Sequence, residues 1–269
     1  MREIREIQEV EEAWIDDGNR RLIARLAPLG SSSGRQPSSE SAITRLIQGI
    51  YEREPESARR ILRLRIHATA SQPTEMCLGM VRVAAKRLKS GVLPSEYALE
   101  PGCELIEIRG EELGTGDLGA EGDDSLESLR GKAIAAPMEL ARSLAAGVRP
   151  AQARYLSNRP IAAVLVSSDG RLLGWAVNSS SRNKTQHAEV KLIQGYVRKS
   201  GPLPVGSKIY TTLKSCKMCA GMIWNAALDP RSLQVFFDQD DPGPKARKTV
   251  LGSVEFGPMT PRAALEIKK

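Results

Sequence analysis

Two short runs concentrate the residue types that do chemistry: His187-Ala188-Glu189 and Cys216-Lys217-Met218-Cys219. The 269-residue chain holds only two histidines and four cysteines, so these runs take half of each. One imidazole and two thiolates make three soft ligands for Zn²⁺. They leave the fourth tetrahedral position open, which is the coordination of a catalytic site. A structural site would need a fourth ligand. His67, Cys77 and Cys103 are the remaining candidates of these types, and all lie in the first half of the chain. Cys77 and Cys103 are isolated and read as small core residues. A redox reading of the cysteine pair would leave His187 and Glu189 without a role. Glu189 falls beside such a metal without being needed as a ligand. A carboxylate there can take a proton from water and hand it to a leaving group.

These side chains must be brought together by the elements around them. Residues 161–166, Ile-Ala-Ala-Val-Leu-Val, form an unbroken apolar run closed by Ser-Ser-Asp-Gly, which reads as a buried strand and a turn. Residues 171–177 suit its hairpin partner. Leu192, Ile193, Tyr196 and Val197 recur at helical spacing across 187–199, and Ser200-Gly201-Pro202 stops that helix. A β-branched run at 208–213 reads as a strand, 216–228 as a helix and 233–237 as a further strand. The order β-β-α-β-α-β favours a layered α/β sandwich. His187 and the cysteines each open a helix that follows a strand, so their helix N-termini can converge on one sheet edge. There the orphan N–H groups favour thiolates and metal.

The segment 187–223 resembles the cytidine deaminase-like superfamily, whose zinc enzymes carry H-x-E and P-C-x-x-C. Thr212-Leu213-Lys214-Ser215-Cys216-Lys217-Met218-Cys219-Ala220-Gly221 is most similar to the tRNA adenosine deaminase branch, where the run typically reads T-L-E-P-C-x-M-C-A-G. The chain is also similar to a bacterial deaminase group with an extra N-terminal domain, typified by a Bdellovibrio protein and predicted to act on nucleic acid. The resemblance covers roughly residues 150–245. It implies a three-layer α-β-α sandwich, Zn²⁺ on His187, Cys216 and Cys219, and Glu189 as the proton relay in hydrolytic deamination of a nucleobase. It also implies substrate contacts. Asn178, nine residues before His187, would hold the base or its sugar, and the backbone N–H of Ala188 would bond the base. Ser215 stands where the family has proline, a position counted with the substrate contacts. Serine is a good N-cap, so the change is compatible with the zinc site. Lys214 replaces the usual acid, and the tail after residue 252 is short, so the long C-terminal helix common in tRNA adenosine deaminases is not expected.

Asn183 competes with Asn178 for the binding role. Trp175, Trp224, Phe236 and Phe237 either stack a base or belong to the core. Lys245, Arg247 and Lys248 either meet a phosphate backbone or form a solvated charge run.

The first half of the chain shows no chemical signature. Residues 61–67 alternate like a strand, with Leu62, Leu64 and Ile66 on one side and Arg63, Arg65 and His67 on the other. Residues 74–89 place Cys77, Met80, Val81, Ala84 and Leu88 on one helical face. Arg63, Arg65, Lys86, Arg87 and Lys89 either touch phosphates or are solvated. The stretch 31–41 is polar and serine-rich and reads as a mobile loop. The acidic, glycine-rich stretch 111–131 reads as a linker. The expected organisation is therefore an N-terminal α/β domain at 1–110, that linker, and a catalytic domain at 132–269.

Charge divides along the same line. Residues 1–130 hold 18 basic and 23 acidic side chains, net −5, while residues 131–269 hold 21 and 9, net +12. A basic half attracts polyanions. At 41% hydrophobic and 26% charged, the composition excludes a disordered chain, a collagen-like repeat and a disulfide-dense scaffold. No apolar stretch reaches the roughly 20 residues of a membrane helix, and MREIREIQEV is not a signal peptide. The expectation is a cytoplasmic homodimer, with the apolar helix 216–228 as contact face. Its substrate would be adenine or cytosine in RNA, tRNA above all. The alternatives are a deaminase of a free base, nucleoside or nucleotide of guanine or cytidine type, and a catalytically degenerate zinc-binding partner subunit.

Overall fold

The computed structural model describes residues 10–26, 37–94, 101–110, 124–153 and 156–258. A first sheet is built from β1 (Glu11–Asp17), β2 (Arg20–Leu26), β3 (Arg65–Ala68), β4 (Arg87–Lys89) and β5 (Glu104–Ile108), in the order β4-β3-β1-β2-β5. Gly18, at φ +64°, opens the two-residue turn that joins β1 to β2, where a II′ hairpin takes glycine. Odd residues of β1 and even residues of β2 (Ala13, Ile15, Leu22 and Ala24) face the core. They meet α1 (Ala42–Arg53), whose Ile43, Leu46, Ile47 and Ile50 are buried. Ser41 and Thr44 form a reciprocal capping box at its start. After α2 (Ala58–Ile61) and β3, α3 (Glu75–Ala84) starts at the Thr74 cap.

Beyond α4 (Asp124–Glu127), α5 (Pro137–Ala146) and the small hairpin β6 (Ala151–Ala153) and β7 (Leu156–Asn158) comes the second sheet. It comprises β8 (Ala162–Val166), β9 (Leu172–Val177), β10 (Lys208–Leu213), β11 (Gln234–Gln239) and β12 (Glu255–Phe256), in the order β12-β11-β10-β8-β9. α6 (Ala188–Ser200) follows β9, and α7 (Lys217–Ala226) crosses from β10 to the parallel β11. β8 is buried on both faces, which is why its sequence is apolar throughout. Ala163 and Leu165 join the core under α6 and α7, while Val164 and Val166 meet Met138 and Ala141 of α5. The second sheet is thus the middle of the expected α-β-α sandwich.

The two halves share one hydrophobic cluster, running from Ala13 to Val254, and α3 lies along α7. Two glycines allow that approach. A Cβ on Gly79 would stand 2.2 Å from the Lys217 carbonyl oxygen, and one on Gly221 would stand 2.3 Å from that of Glu75. The Gln48 and Gln194 amides, both buried, also exchange two hydrogen bonds of 2.9 Å between α1 and α6.

Several sequence expectations are corrected. Residues 61–64 are not strand: Ile61 ends α2, Leu62–Leu64 turn, and β3 begins at Arg65. The helix expected over 74–89 stops at Ala84, and Leu88 lies in β4, paired with Ile66. Of the linker, 111–123 lies outside the described residues, while 124–131 packs on the second sheet. Leu126 and Leu129 touch its outer cluster and Arg130 covers the Trp175 ring at 4.8 Å. Of the serine-rich loop, 31–36 lies outside the described residues, but Ser38 exchanges backbone and side-chain bonds with Asn225 (3.1 and 2.8 Å). The expectation of a short tail after 252 concerns residues 259–269 as well, and these also lie outside the described residues. The apolar residues of α7, expected as a dimer contact, are covered by α3 of the same chain: Met218, Met222, Ile223 and Ala226 are inaccessible.

Candidate active site

β8 runs antiparallel to both β9 and β10, so β9 and β10 point the same way. Their carboxyl ends lie on one edge, and α6 and α7 both start there. His187 is the N-cap of α6 and Cys216 the N-cap of α7, each with extended backbone. Neither side chain caps its own helix; both turn toward one another. His187 Nδ1 lies 3.4 Å from Cys219 Sγ and 3.7 Å from Cys216 Sγ, and the two sulfurs are 3.5 Å apart.

This triangle fits zinc. With Zn–S near 2.3 Å and Zn–N near 2.0–2.1 Å, a tetrahedral ion separates two sulfurs by about 3.8 Å and a sulfur from a nitrogen by about 3.6 Å. Among the described residues, His187, Cys216 and Cys219 form the one group of three such side chains close enough to hold a metal. Glu189 does not join it. Its carboxylate is buried beside it and accepts a hydrogen bond from the Ser215 hydroxyl at 3.2 Å.

The electrostatics are those of a buried, coupled cluster. Its hydrogen bond to Cys219 holds Cys216 well below the ordinary thiol range, against burial and with help from the charge of His187. Burial pushes Cys219 well above that range. Burial also opposes a charged His187, but the charge of Cys216 carries it above its ordinary value. Burial raises the Glu189 carboxyl against the charge of His187.

His187, Glu189 and Cys216 line a cavity of about 290 Å³, and Cys219 is fully buried behind them. Asn178 lies in its wall and is 4% exposed. In the orientation that satisfies both ends of its amide, the oxygen accepts from the Arg159 N–H (3.2 Å) and Ser180 hydroxyl (3.0 Å), and the nitrogen donates to the Gln186 carbonyl (3.2 Å). Ala188 is buried at the first position of α6, where helical N–H groups have no internal acceptor. Ser215, expected at the substrate, sits instead behind Glu189 and is fully buried. Its N–H, which proline would lack, is hydrogen-bonded to the Glu255 carboxylate. Lys214 lines the cavity and pairs with Asp240 at 3.4 Å.

Other candidates fall elsewhere. Asn183 is buried as a loop anchor: its oxygen accepts from the Thr185 N–H and hydroxyl, and its nitrogen donates to Glu52 of the first half. Trp175 and Phe236 belong to the outer core cluster, Trp224 packs on the main one, and Phe237 lies under Lys214 at 5.2 Å. His67 stacks on Trp14. Of the three late cations, Lys245 reaches the cavity, while Arg247 donates to the Pro242 carbonyl and Lys248 lies at a separate hollow. Two further wall residues carried no local sequence signal: Val83, from the end of α3, and Lys184, in the loop before α6.

Residues 152–256 match the family described as Bd3614-like deaminase. Similar solved structures include one from a study of A-to-I editing by tRNA:A34 deaminases (29% identity, 43% of this chain and 83% of that chain, TM-score 0.32). Others are a guanine deaminase from Nitrosomonas europaea (17%, 56% and 92%, TM-score 0.38) and a dCMP deaminase from the cyanophage S-TIM5 (19%, 40% and 84%, TM-score 0.30). No curated protein matches. The family match over residues 152–256 agrees with the resemblance to the cytidine deaminase-like superfamily that the motif residues carry. Among the described residues, no helix is long and apolar enough to cross a membrane.

Proposed function

We propose that the protein is a zinc-dependent hydrolytic deaminase of a nucleobase carried in a polynucleotide, RNA in particular. The observation that carries this reading is the triangle of His187, Cys216 and Cys219 with buried Glu189 beside it, of which His187, Cys216 and Glu189 stand in the wall of one cavity. His187 through Nδ1 and the two cysteines through sulfur would hold the ion. When bound, zinc supplies the Lewis acidity that lets water act as a nucleophile at neutral pH. Glu189 takes one proton of the attacking water and delivers it to a ring nitrogen, then takes the second from the new hydroxyl and delivers it to the departing amino group, which leaves as ammonia. Ser215 fixes the Glu189 carboxylate from behind through Oε1. Asn178 and the Ala188 N–H orient the base, and Val83, Ile161 and Leu213 exclude water around it.

Cations on the cavity wall (Lys184, Lys214 and Lys245) support a phosphate-bearing substrate. The small cavity also suits a free nucleotide, so that is the second reading. An ammonia-release screen over bases, nucleosides, nucleotides, tRNA and other oligonucleotides, with zinc analysis on the same sample, separates the two. Zinc without ammonia from any substrate would instead identify a degenerate partner subunit. Sedimentation of the same preparation tests the homodimer.

A further inference from the structure

The catalytic cavity adjoins a second, larger groove of about 580 Å³, and Val83 and Lys184 line both. The groove lies between the halves of the chain. Residues around α2 and the α3–β4 junction form one side, and residues 181–184 the other. Five cations line it (Arg59, Arg63, Lys86, Arg182 and Lys184) against one acid, Glu56. Lys245, on the catalytic side, donates to the Val83 carbonyl at 3.2 Å and so ties the shared wall together. The cations are close enough to act on one another. Burial first, then the charges of Lys245, Lys86 and Arg59, lower Lys184 to about 8. Like charges held together in a low-dielectric groove concentrate anions, and binding a polyanion relieves their repulsion.

We propose that this groove seats the phosphodiester backbone that flanks the target base, so that a single strand of RNA or DNA lies across the junction of the two halves. The inference rests on the reading of the adjoining cavity as a nucleobase site. A base must leave a duplex stack before such a cavity can take it, and an unpaired strand delivers it without that cost. The groove then supplies what the cavity lacks, which is electrostatic contact with neighbouring nucleotides. The first half of the chain acquires a role by this route: it contributes Arg59, Arg63 and Lys86, and with Val83 it completes the cavity.

The test is fluorescence anisotropy of the full chain with labelled single-stranded 12-mers of RNA and of DNA. Arg63 and Lys86 are exposed, so the double variant R63Q/K86Q should keep its thermal melt. It should bind at least one of the two strands roughly tenfold more weakly. The slope of log affinity against log salt should fall by about 1.4, or about 0.7 for each single-strand phosphate that is no longer neutralised. R198Q/K199Q, at the far end of α6, should bind like the parent. Equal weakening in the two double variants, unchanged binding in R63Q/K86Q, no binding of either 12-mer by the parent, or full displacement by inorganic phosphate at equal phosphate concentration would each overturn the groove. The deaminase reading fails separately. Strand binding that depends on Arg63 and Lys86, with no ammonia released from any substrate, keeps the groove and removes the deaminase. Ammonia release with strand binding indifferent to those residues does the reverse.

Discussion

The two sheets of this molecule are built on opposite principles. In the second, strand β8 is buried on both faces and carries no charge, and the chemistry is confined to the edge where β9 and β10 end. The first packs an apolar face on the core, while its other face, though it buries Trp14 and Ile23, also carries charge. There, Arg25 pairs with Glu12 at 2.8 Å, Arg21 reaches Asp16 and covers Trp14 at 5.4 Å, and Trp14 stacks on His67. A coupled imidazole–thiolate cluster needs a rigid, dry frame, and strands buried on both sides provide it. The ion-paired sheet contributes no reacting group. It contributes position, because α3 braces the helix that carries both cysteines and places Val83 in the cavity wall.

The division of labour is broken most severely at Glu189. Replacement by Ala should reduce ammonia release by at least about 10²–10⁴-fold while zinc content stays at that of the parent. Full turnover in E189A would remove the residue from the mechanism. Next in size is the brace. In Gly221→Ala the added methyl meets the Glu75 backbone, and in Gly79→Ala it meets that of Lys217, so a helix must shift in each. Each should cost about 1–3 kcal/mol, seen as a drop in Tm of roughly 2–4 °C per kcal/mol. Because α7 carries Cys216 and Cys219, zinc affinity should fall with stability. Unchanged Tm in both variants would mean that the two halves are not braced through α3 and α7.

How much of this is legible in the chain follows the same contrast. In the second half, the apolar run 161–166 marks β8, which spans Ala162–Val166, and the spacing of His187, Cys216 and Cys219 marks the metal triangle. Apolar runs and helix starts are local signals, and there local and tertiary preferences agree. In the first half they do not. Ile61 and Leu62 are buried from a helix and its turn, so their alternation with Leu64 and Ile66 is incidental. Past Ala84 the chain bends to pair with β3, overriding the helical face expected to reach Leu88. Val83 has no sequence signal that places it at the site, because only long-range packing brings it there. Charge misleads by averaging: Arg59, Arg63 and Lys86 come from the half with net charge −5, yet they stand at the groove with Arg182 and Lys184.

The buried amide pair sharpens the comparison by asking whether the halves are one cooperative unit. Gln48→Leu removes one partner and strands buried polar atoms of Gln194, at a cost of about 1–3 kcal/mol. Gln194 also donates to the Ser39 carbonyl, so Gln194→Leu should cost at least as much. The double variant should recover part of the loss. A coupling energy of about 0.5–3 kcal/mol by denaturant titration is expected. Strict additivity, or two separate transitions, would show halves that unfold independently.

The smallest effect is expected from acid, and it should appear in the first sheet. Asp17 accepts hydrogen bonds from Arg60 and Arg20, and Arg20 bonds Glu54 of the segment after α1. The Arg60 hydrogen bond above all holds the Asp17 carboxyl down at about 2. Unfolded, the same carboxyl titrates near about 3.9. A carboxyl depressed in the folded state stabilises fully above its unfolded value, and that stabilisation is lost as pH falls through the folded one. The difference in Tm between parent and Asp17→Asn should therefore be constant near neutrality, shrink below about pH 4 and close near about pH 2. Arg60 is 61% exposed, so screening keeps the difference small, and added salt should reduce it further. A gap that instead widens as the pH falls would mean that the carboxyl is not held in its charged form by these arginines. The ion-paired face would then be decoration on the first sheet and not part of what holds it together.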